Sequence, residues 1–200
     1  MSNQHVLIDN LWHAEDKTTS LLRGAVLAVV GTLLLTLSAK IQVPFYPVPM
    51  TMQTFVVLSL GMIYGWRLAG ATMLLYMAEG AMGLPVFAGT PEKGIGLVYM
   101  MGGTGGYLVG YVLAASAVGW LAEKGWDRTM LGTSLAMVIG NALIYIPGVL
   151  YLGALYGWDK PIFEWGFTPF ILGDAVKLAL ATCVMPLAWK VMSKKSANRE

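Results

Sequence analysis

Three ionisable residues stand inside otherwise apolar stretches of this chain: Glu79, Asp174 and Lys177. A charge at the centre of a membrane span costs about 2.5–3.5 kcal/mol on insertion scales, so such residues face a protein interior and mark function. Asp174 and Lys177 are spaced i,i+3, which on a helix places them on one face within pairing distance. Two readings follow. The pair is a salt bridge stapling helices together, or it is a binding site whose carboxylate accepts from ligand N–H groups while the ammonium donates to a ligand oxygen. Glu79, in Tyr-Met-Ala-Glu-Gly-Ala, lies near the end of its apolar run and reads either as an interfacial carboxylate or as a ligand contact. Asn141, a lone amide in Gly-Asn-Ala-Leu-Ile-Tyr, is either an interhelical hydrogen-bonder or a group that both donates to and accepts from a ligand.

Two backbone features could complete a site. Gly102-Gly103-Thr104-Gly105-Gly106-Tyr107 is a glycine cluster at a helix start. It allows close backbone approach and presents N–H groups that favour an anion such as a carboxylate; tight helix packing is the alternative. Pro44-Phe45-Tyr46-Pro47-Val48-Pro49 is a stiff aromatic loop. Proline fixes φ and removes donors, so the loop is either a shaped lid over a cavity or a plain interfacial anchor. Small residues at Gly24, Ala28 and Thr32, at Gly61 and Gly65, and at Gly106 and Gly110 recur at the four-residue spacing that lets helices approach closely. Internal packing is the default for all three stripes, and the first is also placed to meet a partner subunit.

Covalent chemistry has no visible machinery. Both histidines, His5 and His13, lie in the N-terminal tail, and Cys183 is the single cysteine. No metal-type Cys/His spacing, no G-x-S-x-G and no Walker A pattern occurs. A general acid built from Glu79 or Asp174 would find no partner to activate.

The elements that must position these residues are membrane helices. The chain has 200 residues, 56% hydrophobic and only 12% charged, with a mean hydropathy of +0.64. A soluble domain carries about 25% charged residues, and disorder needs low hydrophobicity and high net charge. A net charge of +2 gives no footprint for nucleic acid. At about 20 residues per span, the chain accommodates roughly six spans. The expected fold is an all-α integral membrane protein with six transmembrane helices, near 21–39, 51–64, 68–84, 104–122, 130–145 and 168–189. With a cytoplasmic N-terminus, nine Lys and Arg residues fall inside, three (Lys40, Lys93 and Lys160) fall outside, and Lys177 lies within a span. That asymmetry places both termini in the cytoplasm. The inner connections are tight, as at Gly65-Trp66-Arg67. The outer ones are long and rich in Pro and Gly, spanning 40–50, 85–103 and 147–167, and are expected to cap a binding cavity. Residues 1–20 form a tail, read either as an interfacial helix or as disordered; residues 21–190 are the membrane domain, and 191–200 a basic tail.

Five segments together carry a family resemblance: Val48-Pro-Met-Thr-Met-Gln-Thr-Phe55, Gly83-Leu-Pro-Val-Phe-Ala88, Gly102-Gly-Thr-Gly-Gly-Tyr107, Gly140-Asn141, and Pro169-Phe-Ile-Leu-Gly-Asp174 followed by Lys177. In this order, across roughly residues 20–190, they resemble the BioY family, the biotin-specific S components of energy-coupling factor transporters. The resemblance implies capture of biotin from the outer side, association with a transmembrane coupling protein and two ATPase subunits in a bacterial cell membrane, and no cofactor. It does not reach the N-terminal tail. Biotin's ureido ring would meet Asp174, Lys177 and Asn141. Its apolar part would suit Phe45, Tyr46, Phe87 and Trp165. Its carboxylate would take the Gly103–Gly106 backbone and Tyr107, with Thr51 and Gln53 as further candidates, or alternatively Lys177. Three competing readings are an ion-coupled secondary transporter titrating Glu79 or Asp174, a small intramembrane enzyme, and an S component for another vitamin.

Overall fold

The computed structural model describes residues 6–12, 16–43 and 46–197; Phe45 and both histidines lie outside the described residues. Among the described residues there are eight α-helices: α1 (Leu7–Leu11), α2 (Lys17–Lys40), α3 (Gln53–Ala81), α4 (Gly96–Met100), α5 (Gly105–Glu123), α6 (Met130–Tyr156), α7 (Ile162–Gly166) and α8 (Ile171–Ala197). Short 3-10 turns precede α6 (Trp126–Arg128) and α8 (Thr168–Phe170). Two-residue strands, β1 (Gln42–Val43) and β2 (Met50–Thr51), pair antiparallel and close the base of the loop between them.

Among the described residues, five helical stretches are long and apolar enough to cross a bilayer: Thr18–Lys40, Gln53–Ala81, Gly105–Glu123, Met130–Tyr156 and Ile162–Met192. The difference from the expected number arises at Gly65. There φ is 75° and ψ is 171°, a combination open essentially to glycine alone. A straight helix would hold Gln53 and Tyr76 about 35 Å apart, yet Gln53 Nε2 donates to Tyr76 Oη at 2.6 Å. The chain doubles back at Gly65, so α3 is a helical hairpin with arms 53–64 and 66–81, matching the second and third expected segments.

α5 is the spine of the bundle. It packs on both arms of α3 and on α6, and glycines set the closest approaches. A Cβ at Gly61 would stand 2.8 Å from the Ala115 carbonyl oxygen, one at Gly70 would stand 2.8 Å from Ser116 Oγ, and one at Gly110 would stand 2.7 Å from Ile144 Cα. α2 lies against α3, where the Tyr64 hydroxyl donates to the Leu27 carbonyl at 2.9 Å. From the first small-residue stripe Ala28 and Thr32 are buried, whereas Gly24 has open space beside it. The other face of α2 leaves Leu21, Leu33 and Leu37 exposed. An uncovered aliphatic face of this length suits hydrocarbon and not water.

Two expectations need amendment. Pro147 was expected to open an outer loop, but α6 continues through it to Tyr156. Proline is tolerated inside membrane helices where packing and local adjustments cover the freed carbonyl, and here Gly148 packs on the Tyr107 ring. In the N-terminal tail, Val6, Leu7 and Ile8 are 5%, 4% and 8% exposed. They dock into the bundle beside Gly65, and Arg23 holds Asp9 at 2.8 Å, so α1 belongs to the packed structure.

Candidate functional site

The Pro-Phe-Ile-Leu-Gly-Asp segment turns into α8 and presents Asp174 and Lys177 inward, each 6% exposed. Lys177 Nζ donates to Asp174 Oδ1 at 2.9 Å, to Thr54 Oγ1 at 2.8 Å and to the Thr51 carbonyl at 2.7 Å. Asp174 Oδ1 also accepts from the Thr54 hydroxyl at 3.3 Å, and Oδ2 accepts from the Tyr145 hydroxyl. All three ammonium protons and both carboxylate oxygens are thus engaged. Full hydrogen bonding offsets the desolvation that makes a bare buried ion pair costly.

This cluster forms one wall of a narrow cavity of about 40 Å³, well below the about 300–1,000 Å³ common for small-molecule pockets, so a ligand of that class enters only as the walls part. Lys177, Thr54 and Tyr145 reach the cavity surface, together with Thr51, Gln53, Thr104, Tyr107 and Tyr111. The apolar lining comes from Val48, Pro49, Phe87, Ala88, Leu108, Ile144 and Phe170, with Tyr99 beside Phe87. Phe87 stacks on Tyr99 with ring centroids 5.0 Å apart and meets Tyr76 edge-on at 5.3 Å. Gln53 connects floor to wall: its amide nitrogen donates to Tyr76 Oη, its oxygen accepts from Tyr111 at 3.4 Å, and Tyr76 donates onward to the Val86 carbonyl at 2.8 Å.

The structure brings together Lys177, Gln53, Thr51, Thr104, Tyr107 and Phe87 in the cavity wall, with Asp174 directly behind them. Other candidates stand elsewhere. Glu79 accepts from Thr32 Oγ1 on α2 at 3.1 Å and is not part of the cavity lining. Tyr46 is 77% exposed. Trp165 packs edge-on against Tyr156, outside the lining. Asn141 lies a turn below Tyr145 on α6, and its Oδ1 is buried without a partner. Gly105 and Gly106 serve packing: a side chain at Gly105 would strike the Met100 carbonyl, and one at Gly106 the Pro147 carbonyl. The Gly105 N–H is already spent on the Gly102 carbonyl at 3.0 Å, which leaves it no donor for an anion. Tyr107 also has a partner, donating to the Gly166 carbonyl at 2.7 Å.

Sequence reasoning missed Thr54, Tyr99, Tyr111 and Tyr145. The signal for Thr54 was available, since it follows Gln53 inside a quoted motif and its hydroxyl both accepts and donates. The tyrosines sit in apolar runs where an aromatic is ordinarily core, and nothing along the chain marks which ones face a void.

A membrane-embedded helical bundle enclosing a polar-ended, aromatic-walled cavity, with the buried Asp174–Lys177 pair satisfied internally, defines a small-molecule binding protein of the bilayer. Comparison with known proteins makes this specific. The BioY family model matches residues 10–194, and the chain belongs to the BioY family. Among similar proteins, the biotin transporter BioY of Thermotoga maritima is 36% identical over 82% of this chain and 94% of its own length. A probable biotin transporter BioY of Pyrococcus horikoshii is 35% identical over 76% of this chain and 86% of its own length. The fold is similar to that in a crystal structure of the S-component for biotin from an ECF-type ABC transporter, with a TM-score of 0.72, 19% identity, and 88% of this chain and 95% of that one covered.

Proposed function

We propose that this chain captures biotin in the cavity beside Lys177 and delivers it across the membrane as the substrate-binding S component of an ECF-type ABC transporter. It is a transporter component and not an enzyme, and it uses no cofactor. The observation that carries the reading is the saturated Asp174–Lys177–Thr54–Tyr145 cluster at the wall of an otherwise aromatic cavity. Biotin's ureido group offers two N–H donors and one carbonyl acceptor, and this cluster holds acceptors and donors in matching supply. The hydrogen bonds from Lys177 to the Thr51 carbonyl and Thr54 are the ones a ligand carbonyl would exchange for its own. The thiophane ring and valeryl chain are apolar and suit Phe87, Leu108 and Phe170. Gln53 and Thr104 supply donors for the carboxylate, and Tyr107 would do so by giving up the Gly166 carbonyl.

In this reading the chain crosses the membrane six times, the two arms of α3 supplying the second and third crossings, with both termini in the cytoplasm. The partners are biotin, surrounding lipid, and the transmembrane coupling protein and ATPase subunits of an ECF module in a bacterial cell membrane. The test is to purify the chain in detergent, identify any copurifying small molecule by mass spectrometry, and titrate the emptied protein with biotin. Stoichiometric biotin recovery and saturable binding are expected. Recovery of a different vitamin, with no binding of biotin, would overturn the assignment.

A further inference from the structure

α2 contributes no side chain to the cavity wall, yet its last residue reaches the loop that forms one side of it. Lys40 Nζ donates to the Phe87 carbonyl at 2.9 Å, the Thr90 carbonyl at 3.0 Å and Thr90 Oγ1 at 3.0 Å. The Thr90 hydroxyl in turn donates to the Phe87 carbonyl at 2.6 Å. All three partners of this ammonium are neutral oxygens of one short loop, and that loop holds Phe87 and Ala88 against the cavity. Another polar tether of the loop is Tyr76, which donates to the Val86 carbonyl and accepts a hydrogen bond from Gln53 on the cavity floor.

We propose that Lys40 is a positioning residue for ligand retention. It clamps the 86–90 loop to the outer end of α2 and thereby sets how fast the cavity opens to release its ligand. This rests on the biotin reading for the identity of the ligand but not for the clamp itself. The physical logic is that charge-assisted hydrogen bonds are roughly twice as strong as neutral ones, so an ammonium spread over two carbonyls and a hydroxyl holds a loop that has no regular backbone ladder. The Phe87 ring is wedged between Tyr99, Tyr76 and Gly80. Clamping its carbonyl fixes the ring as a wall. A basic residue at the end of α2 also complements the helix dipole, and a role confined to that would affect folding stability without affecting the loop.

The test compares wild type with Lys40→Met, Lys40→Arg and Thr90→Val in detergent or nanodiscs. Biotin association and dissociation rates are measured, along with amide hydrogen exchange of residues 86–91 and thermal unfolding, both without ligand. Lys40→Met is expected to raise the dissociation rate at least tenfold and to speed exchange at 86–91. Thr90→Val should act in the same direction, the double variant should add little to Lys40→Met, and Lys40→Arg should remain close to wild type. A dissociation rate in Lys40→Met within twofold of wild type overturns the proposal, as does a drop in unfolding temperature with unchanged exchange at 86–91. If wild type binds no biotin, the biotin reading falls, and the exchange measurement still decides the clamp.

Discussion

The Tyr145 hydroxyl on α6 donates to Asp174 Oδ2 on α8, so the carboxylate that neutralises Lys177 is itself held by a neighbouring helix. The two charged side chains are 8% and 7% exposed. Removing either one leaves its partner as an uncompensated buried charge, which typically costs about 3–5 kcal/mol. Asp174→Asn and Lys177→Ala are each expected to weaken biotin binding by at least about a hundredfold, since every 1.4 kcal/mol is tenfold, and to lower thermal stability. Tyr145→Phe removes one hydrogen bond to a charged group, worth about 1.5–3 kcal/mol, and should fall between wild type and the other two. Calorimetric titration reads all three, and unchanged affinity in both charge variants would refute the site.

Glu79 provides the converse test. Its carboxylate faces Thr32 on α2, away from the cavity lining. Glu79→Gln retains an acceptor for the Thr32 hydroxyl, so biotin affinity should stay within about twofold while the α2–α3 contact survives; the threshold corresponds to well under 1 kcal/mol. An affinity loss comparable to that of Lys177→Ala would show that Glu79 reaches the ligand after all.

Gly65 makes the α3 hairpin possible. An alanine there would adopt a backbone conformation that costs about 1–3 kcal/mol for a residue with a side chain, and its Cβ would lie 2.6 Å from Glu123 Oε1. That same oxygen accepts from the Trp66 N–H at 3.2 Å. Gly65→Ala should therefore lower the thermal midpoint by several degrees, measurable by fluorescence in detergent. A midpoint equal to wild type would mean that the reversal does not depend on glycine.

Asp127, in the 3-10 turn before α6, is fully buried; Trp189 Nε1 donates to its Oδ2 at 2.5 Å, while Oδ1 has no partner. Burial pushes its carboxyl pKa above the ordinary 3.8, against the opposing effects of the Trp189 hydrogen bond and the Arg128 charge. The folded protein therefore binds this proton more tightly than the unfolded chain does. The resulting stability is complete below the ordinary value and is lost as pH rises through the folded one. Asp127→Asn keeps an acceptor for Trp189 without the charge. It should be more stable than wild type near pH 7, with the gap closing as pH falls toward about 4. Unfolding curves for both proteins across that window supply the check, and a gap independent of pH would contradict it.

Much of the fold was legible along the chain because a bilayer imposes one-dimensional rules. Apolar runs of span length, the Lys and Arg asymmetry and the tight Gly65-Trp66-Arg67 connection follow from hydrocarbon thickness and backbone satisfaction. Small residues at Gly61, Gly106 and Gly110 marked helix contacts for an equally local reason, since only a missing side chain admits a neighbouring backbone. The pairing of Asp174 with Lys177 needed only i,i+3 spacing.

What the sequence by itself determined, then, was which segments are buried in lipid and which charged residues must face inward. Only the tertiary structure decided which side chains share a void. Thr54 and Tyr145, separated by ninety-one positions, meet at Asp174 because the α3 hairpin, α6 and α8 converge there. Glu79, only partly buried, pairs instead with Thr32 on α2. The space left by Gly105 and Gly106 is filled by a carbonyl on Met100 and another on Pro147, a packing role that their spacing alone did not settle. Cavity membership depends on helix rotation and interaxial distance, quantities set by the sum of many packing contacts, and no local pattern of residues encodes that sum.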